Sequence, residues 1–336
     1  MAGPVHRRQE KHRPIRMRSP VKGERGAFPI RTSASTAAAS TVPIRRPRLS
    51  YMATQKMWGY LFVLPVLILF LGFRLYPMLR AIEISFQKYD LLTKPRWVGL
   101  DNYRFLLSNE RVLNSFKVTG IFLVGQTVPM VFIALVLALA LFSLPRFRHF
   151  FELVFYFPVI MTTVVAALIW LTLFYPRGLL DQLVAPWFPQ GIHWLTSPVL
   201  ALPSVITVDI WKSTGYYMII LLAGILGIPG EYLEAAAIDG AGSWARLRYI
   251  ILPLLRPQLA FVSIIALINA VQAFDSFYVL TRGGPADATR ILPIEIYLRA
   301  FQLLEMGRAA AISMVMFVFL MILTLLQLKF FRLEDT

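Results

Sequence analysis

Six apolar windows of about 20 residues recur along this chain, near 57–79, 117–142, 151–175, 201–227, 258–280 and 308–331. Each has the length a helix needs to cross the hydrocarbon core of a bilayer. No other feature constrains the fold as tightly. In lipid every backbone N–H and C=O must be paired within its own segment, so each window reads as a helix. The expected fold class is an all-α integral membrane protein with six transmembrane helices. Composition agrees, since 57% of the 336 residues are hydrophobic and 15% charged, with a mean hydropathy of +0.62, too apolar for an ordinary soluble domain. Aromatic residues stand at several window ends (Trp58, Tyr60, Tyr76, Trp170, Tyr175, Phe330, Phe331), as amphipathic rings prefer at the headgroup level.

The net charge of +16 resides mostly in one place. Residues 1–56 hold thirteen Lys or Arg against Glu10 and Glu24, which is +11 of the total. No basic stripe remains on a folded face, so nucleic acid is not an expected partner. This arm, rich in Arg, Pro, Ser, Thr and Ala, reads as disordered. Its basic, acid-poor character overlaps with that of transit peptides and would suit contact with anionic membrane lipid, while a start at Met17 or Met52 would remove most of it. Residues 57–331 form the transmembrane domain, and 332–336 a short tail.

An even number of spans puts both termini on one side. Arg45, Arg46, Arg48 and Lys56, close to the first span, make that side the cytoplasm. Segments 143–150, 228–257 and 332–336 are then inside, and 80–116, 176–200 and 281–307 outside. Six basic residues between Arg80 and Arg111 weigh against this orientation, and the arm decides it. The first outer segment contains "WVGLDNYRFLLSNERVLNSF", where Leu100, Tyr103, Leu106 and Leu107 recur at helical spacing, as in a short amphipathic helix along the interface. "TRGGPADATR" after span five reads as a turn, since it lacks the context of a phosphate cradle.

Several chemistries are excluded. There are no cysteines, hence no disulfide framework, thiolate metal site or Cys nucleophile. The four histidines are scattered and form no metal motif. No Gly-x-x-x-x-Gly-Lys-[Ser/Thr] phosphate loop occurs, so any nucleotide energy must come from another chain, and no cofactor or metal of its own is expected.

One stretch of the second half departs from its surroundings: "EYLEAAAIDGAGSWARLRYIILPLLRP", residues 231–257, carries acids, arginines and prolines between apolar windows. "EYLEAAAID" is a good short helix with acids in its first turn and a break, "IPG", ahead of it. Gly240 and Gly242 allow a sharp turn. A second helix, "SWARLRYIIL", starts with Ser243 as its expected N-cap and ends at Pro253. Two short helices joined at a glycine make a compact knob at the membrane surface, in which Ala235, Ala236 and Ala237 would let another surface approach closely.

The pattern Glu-Ala-Ala, three residues, Gly, nine residues, Ile-x-Leu-Pro is met at Glu234, Ala235, Ala236, Gly240, Ile250, Leu252 and Pro253. It resembles the signature loop of permease subunits of binding-protein-dependent ABC importers, and chance would produce it about once in 10⁸ windows at average residue usage. "VGLDNY", "DIWKSTGYYMIILLAGILGIPGEYLEAAAIDGA", "FDSFYVLTRGGPADAT" and "AF…GRAAAIS" are similar to the carbohydrate-uptake permeases within that group, which includes maltose and glycerol-phosphate importers. The resemblance runs from about residue 55 to 333, and the long basic arm departs from it. It implies that loop 228–257 docks as a coupling helix on a cytoplasmic ATPase subunit, with Glu234, Ala235, Ala236, Asp239, Gly240, Ile250, Leu252 and Pro253 as the coupling residues. It further implies two ATPase subunits that bind the ATP and Mg, a second permease subunit, an extracytoplasmic solute-binding protein and a sugar substrate. The chain itself would be a multi-pass protein of the cytoplasmic membrane and not an enzyme.

Polar side chains inside the spans are candidates for the substrate path, because lipid tolerates them only where they face a cavity or a partner. Span five offers Asn269, Gln272, Asp275 and Ser276, with Asn269, Gln272 and Ser276 at spacings that place them near one helical face. With Phe274 and Tyr278 beside them they would suit a polyhydroxylated ligand, and they would equally serve to tie helices together. In span four Asp209 and Lys212 lie one turn apart, where a mutually neutralising pair is preferred to substrate contact. Other readings are a permease for an amino acid, peptide or anion, a secondary transporter with paired carboxylates or broken helices in symmetric halves, and a membrane-embedded enzyme. Asp209 and Asp275 are the only acids well inside the windows, and no acid-base or metal cluster stands out.

Overall fold

The computed structural model describes residues 48–332. The arm up to residue 47 and the tail from 333, about which the sequence raises expectations, lie outside the described residues. The chain divides into two compact units, Met1–Leu61 and Phe62–Thr336. In the first, the described residues are the opening turns of helix α1.

α1 (Arg48–Phe70) continues through a π turn, Leu71–Leu75, into α2 (Tyr76–Ser85). The first span-length stretch is therefore Gln55–Ser85, longer than expected at both ends. Residues 48–56 are helix rather than disordered arm, since no Gly or Pro follows Pro47 until Gly59. Tyr76 falls inside the span rather than at its end, because the wider π turn ahead of Pro77 accommodates a proline that would otherwise break the helix.

Two-residue strands β1 (Gln87–Lys88) and β2 (Arg96–Trp97) then pair antiparallel, Gln87 opposite Trp97 and Lys88 opposite Arg96. The expected amphipathic helix forms as α3 (Asp101–Ser108), but it packs on protein as well as facing outward. Leu106 is buried beside Val112, Leu292 and Ile312, and the Tyr103 hydroxyl lies 2.7 Å from Ser85 Oγ. Leu100 and Leu107 are exposed.

α4 (Glu110–Phe142) and α8 (Ala201–Leu226) form the centre of the second unit. Between them stand α5 (Arg148–Ile160), α6 (Thr163–Leu173) and the short α7 (Leu179–Val184). After α8 come α9 (Gly230–Ile238), α10 (Ser243–Arg246), a π turn at Leu247–Ile251, α11 (Leu252–Leu254), α12 (Arg256–Val271) and α13 (Asp275–Leu280). The last elements are α14 (Leu292–Tyr297), a π turn at Leu298–Gln302 and α15 (Met306–Arg332). Among the described residues four helical stretches are long and apolar enough to cross a membrane, and two bent pairs bring the total to six.

Lipid tails remove the hydrophobic drive between helices, so close packing of small residues does most of the work. Ala134 and Ala138 of α4, Met218 and Leu221 of α8 and Ala266 of α12 share one cluster. Phe122 and Phe277 meet edge to face at 4.7 Å in another, an arrangement worth ~1 kcal/mol beyond area burial. The tightest helix-to-helix approach at a glycine is at Gly215 of α8, where an added Cβ would stand 2.0 Å from the Phe155 carbonyl oxygen of α5. Backbone, not a flexible side chain, would have to move. Gly215→Ala is accordingly expected to cost ~1–3 kcal/mol or more, read as a lower melting temperature in detergent; an unchanged melt would show that α5 and α8 separate without penalty.

The first bent pair departs from the expected straight spans. α5 and α6 meet at 96°. Pro158 lacks an N–H to continue α5, Met161 adopts an extended backbone, and Thr162 Oγ1 accepts from the Val165 N–H at 3.3 Å to start α6. The segment Ser243–Leu254 meets α12 at 66°. The second helix of the knob ends at Leu254, one residue beyond the expected Pro253. Ser243 does not cap it: Gly242 occupies the N-cap position, with no side-chain hydrogen bond. Finally, span five stops at Val271 and restarts at Asp275, so the helical-face argument for Asn269, Gln272 and Ser276 fails.

Candidate functional site

The interruption at residues 272–274 is what gathers the polar residues. A cavity of ≈ 370 Å³ opens beside it, lined by Asp209, Lys212, Asn269, Gln272, Asp275 and Ser276 together with Phe122, Gln126, Thr163, Tyr217 and Phe274. Six of the seven expected path residues meet here through a break in the helix, not through helical period. Irregular backbone at such a depth is tolerated where it lines a cavity, and Thr163, from the other broken pair, reaches the same space. Tyr278 is not among the lining residues and stacks on Phe274 at 5.3 Å between ring centroids.

The partners of these side chains differ from the expected ones. Asp209 and Lys212 form no ion pair within 4 Å among the described residues. The Asp209 carboxylate instead turns toward α13 and accepts from Ser276 Oγ at 3.1 Å. Lys212 faces the same cavity. Asn269 Nδ2 donates to the buried Tyr217 hydroxyl at 3.0 Å, tying α12 to α8. Gln272 and Asp275 are exposed.

The knob is built as two helices joined at a glycine. Gly240 has φ +79°, the left-handed conformation that closes a helix. The Ala241 N–H reaches back to Ala236 O at 2.8 Å and the Gly240 N–H to Ala237 O at 3.1 Å, the hydrogen-bond pair of a Schellman C-cap. Glu234, Ala235, Asp239 and Gly240 are exposed, and Ala236, Ile250, Leu252 and Pro253 half-buried. Three large side chains that the sequence reading did not single out project from it: Ile238 is 87% exposed, Trp244 69% and Tyr249 72%. Apolar residues inside an otherwise polar insertion were the available signal.

The segment between α13 and α15 carries a buried ionic network, also unforeseen. Glu295 and Arg299 are 1% and 5% exposed. Arg299 donates to Glu295 Oε1 at 2.5 Å, to Glu305 Oε2 at 2.7 Å and to Asn109 Oδ1 at 3.3 Å, and its guanidinium lies 4.8 Å from the Phe105 ring centre. Arg290 reaches Glu295 at 3.2 Å and Asp287 at 2.8 Å, and Arg308 pairs with Glu305. In segment 176–200, Asp181 gathers the Arg177 N–H at 2.9 Å, Trp194 Nε1 at 2.8 Å and the Ile192 N–H at 3.3 Å. The Arg177 backbone donor foremost holds its carboxyl below the usual range.

Residues 115–332 match the family described as the binding-protein-dependent transport system inner membrane component. This chain belongs to that family. The family match runs from within α4 to the end of α15, and so includes the cavity, the knob and the charged residues of the ionic network. The permease resembles the probable ABC transporter permease protein YesP of Bacillus subtilis, with 34% identity over 276 residues, 81% of this chain and 89% of that one. The trehalose/maltose transport system permease protein MalF of Thermococcus litoralis is 32% identical over 273 residues, 81% of this chain and 92% of that one. In fold, the permease matches a solved chain of a bacterial ABC transporter involved in import of the acidic polysaccharide alginate. The TM-score is 0.76 at 24% identity, covering 86% of this chain and 100% of that chain. The permease is thus a multi-pass helical protein of the inner membrane, the membrane component of its system and not its enzyme.

Proposed function

We propose that this permease provides one half of the translocation path of an ATP-driven importer for sugars or related polyols. The observation that carries the reading is the polar cavity at the broken fifth span, with Gln272 and Asp275 open to it and both signs of charge in its wall. Hydroxyl, amide and carboxylate groups beside aromatic rings suit a polyhydroxylated solute, and the trehalose/maltose relative points to the same chemistry. A solute-binding protein delivers the sugar to segments 80–116, 176–200 and 281–307, outside, with both termini in the cytoplasm. A second permease subunit completes the path. One of the two cytoplasmic ATPase subunits docks on the knob, where exposed Ile238 and Trp244 beside Glu234–Gly240 supply an apolar contact with a polar surround. Copurification in mild detergent, followed by ATPase assays with a panel of sugar-loaded binding proteins, tests the scheme; recovery of no ATPase subunit would count against it.

Inside the cavity two amides carry different expectations. Gln272→Ala removes an exposed hydrogen-bonding group, and the half-saturation for uptake should rise roughly 2- to 12-fold, the equivalent of ~0.5–1.5 kcal/mol, with assembly unchanged. Asn269→Ala leaves the Tyr217 hydroxyl buried without its donor, at ~1–3 kcal/mol, and should lower the melting temperature. Uptake unaltered by the first substitution would remove Gln272 from the path.

A further inference from the structure

Resting on the carbohydrate reading above, we infer that Phe274, Tyr278, Tyr297 and Phe301 form an aromatic track that stacks pyranose rings and leads them into the polar cavity. The rings are consecutive neighbours. Phe274 forms part of the cavity wall and stacks on Tyr278 at 5.3 Å with an 18° interplanar angle. Tyr297 closes a triangle with both, at 5.3 Å from Phe274 and 5.1 Å from Tyr278. Phe301 continues from Tyr297 at 5.4 Å, four residues along one side of the α14 end and its π turn, and is 64% exposed. The track thus begins in segment 281–307, outside in the proposed orientation, and ends at the cavity.

Three observations set it apart from ordinary core packing. Buried core aromatics here, such as Phe122 and Phe277, are fully covered, whereas all four track rings keep some exposure. The Tyr278 and Tyr297 hydroxyls point at each other across 3.4 Å, which gives the track polar edges as well as apolar faces. Its Phe274 end lines the same cavity as Gln272 and Asp275, which are exposed and too polar to face lipid. A pyranose matches such a surface, because its C–H faces are apolar and its hydroxyls project around the rim. A linear polyol presents no such face. The track therefore favours cyclic sugars over open-chain ones, while the amides and carboxylates of the cavity bind hydroxyls of either.

The test uses the assembled importer, with its ATPase subunits and binding protein, in proteoliposomes supplied with labelled maltose, trehalose, glucose or sorbitol. Phe301→Ala and Tyr297→Ala should each raise the half-saturation for at least one of the three pyranose sugars by threefold or more, with maximal rate and assembly in detergent largely kept. Tyr297→Phe should keep most of the parent behaviour, since the stacking face survives and only one polar edge is lost, and sorbitol uptake should not respond to any of the three substitutions. Unchanged pyranose uptake in both alanine variants overturns the track, as does equal loss for sorbitol, or a Tyr297→Phe variant as impaired as Tyr297→Ala. Failure of the parent importer to take up any of the four probes while its ATPase subunits copurify would overturn the carbohydrate reading itself, and the track with it.

Discussion

Gly240→Asp is expected to abolish ATP-driven uptake while the chain still inserts in the membrane. Two effects add at this position. Gly240 closes α9 in the left-handed conformation, so any L side chain brings strain of about 1 kcal/mol. A Cβ there meets nothing within 4 Å, so the fold of the permease itself has room for the new side chain. The proposed docking surface does not, because the carboxylate would be pressed against an ATPase subunit beside the carboxyls of Glu234 and Asp239. Loss of a central docking contact costs ~2–4 kcal/mol, or roughly 30- to 700-fold in coupling. Gly240→Ala brings the strain without the charge and should keep much of the activity. Uptake measured in vesicles and normalised to inserted protein decides the matter; normal uptake by an inserted Gly240→Asp chain would refute the docking assignment.

Arg299→Ala is expected to have the largest effect on stability. Glu295 is almost wholly covered, and its nearest cation is the Arg299 guanidinium. Breaking a buried pair by removing one partner costs ~3–5 kcal/mol, and Arg290, still 3.2 Å from Glu295, puts this case toward the lower end. The same substitution also takes away one of the two arginines that hold Glu305 and one of the two guanidiniums over Phe105. The variant should melt far below the parent in detergent or fail to give a monodisperse species. Removing both charges together, as Glu295→Gln with Arg299→Gln, should be much milder, because no lone charge remains buried. A single Arg299→Ala variant that melts with the parent would mean that Arg290 alone compensates Glu295.

The parts of this molecule that the sequence made legible are those encoded locally. An apolar window reports its own helix, and the run from Glu231 to Pro253 reports its own turn through glycine spacing and helix propensity. The breaks at Met161–Thr162 and at Gln272–Phe274 were not read, since neither holds a glycine. Pro158 followed by the Thr162–Thr163 pair was a usable sign of a stop and a fresh N-cap; at Gln272 no comparable sign exists. The polar residues of span five were recognised from the cost of placing them in lipid, but their convergence was attributed to helical period, which the break replaces. Glu295, Arg299 and Glu305 looked like ordinary loop charges. Only the i,i+4 spacing of Glu295 and Arg299 hinted at a pair, and its burial depends on α3, α4 and α15, which lie far away in sequence. Broken helices by themselves would also have fitted an ion-coupled transporter, and it is the family match that decides between the two.

The π turn at Leu247–Ile251 sits between the knob and the span that carries the cavity. Such a turn is an α-helix with one residue too many, and one residue is about 100° of rotation. The azimuth of Trp244 relative to the bend at which this segment meets α12 is therefore set by a single inserted residue. A one-residue deletion in that turn would keep the exposed face of the knob and the wall of the cavity each intact, yet turn the first about the axis of its own helix and change the direction from which a push on Trp244 reaches the bend.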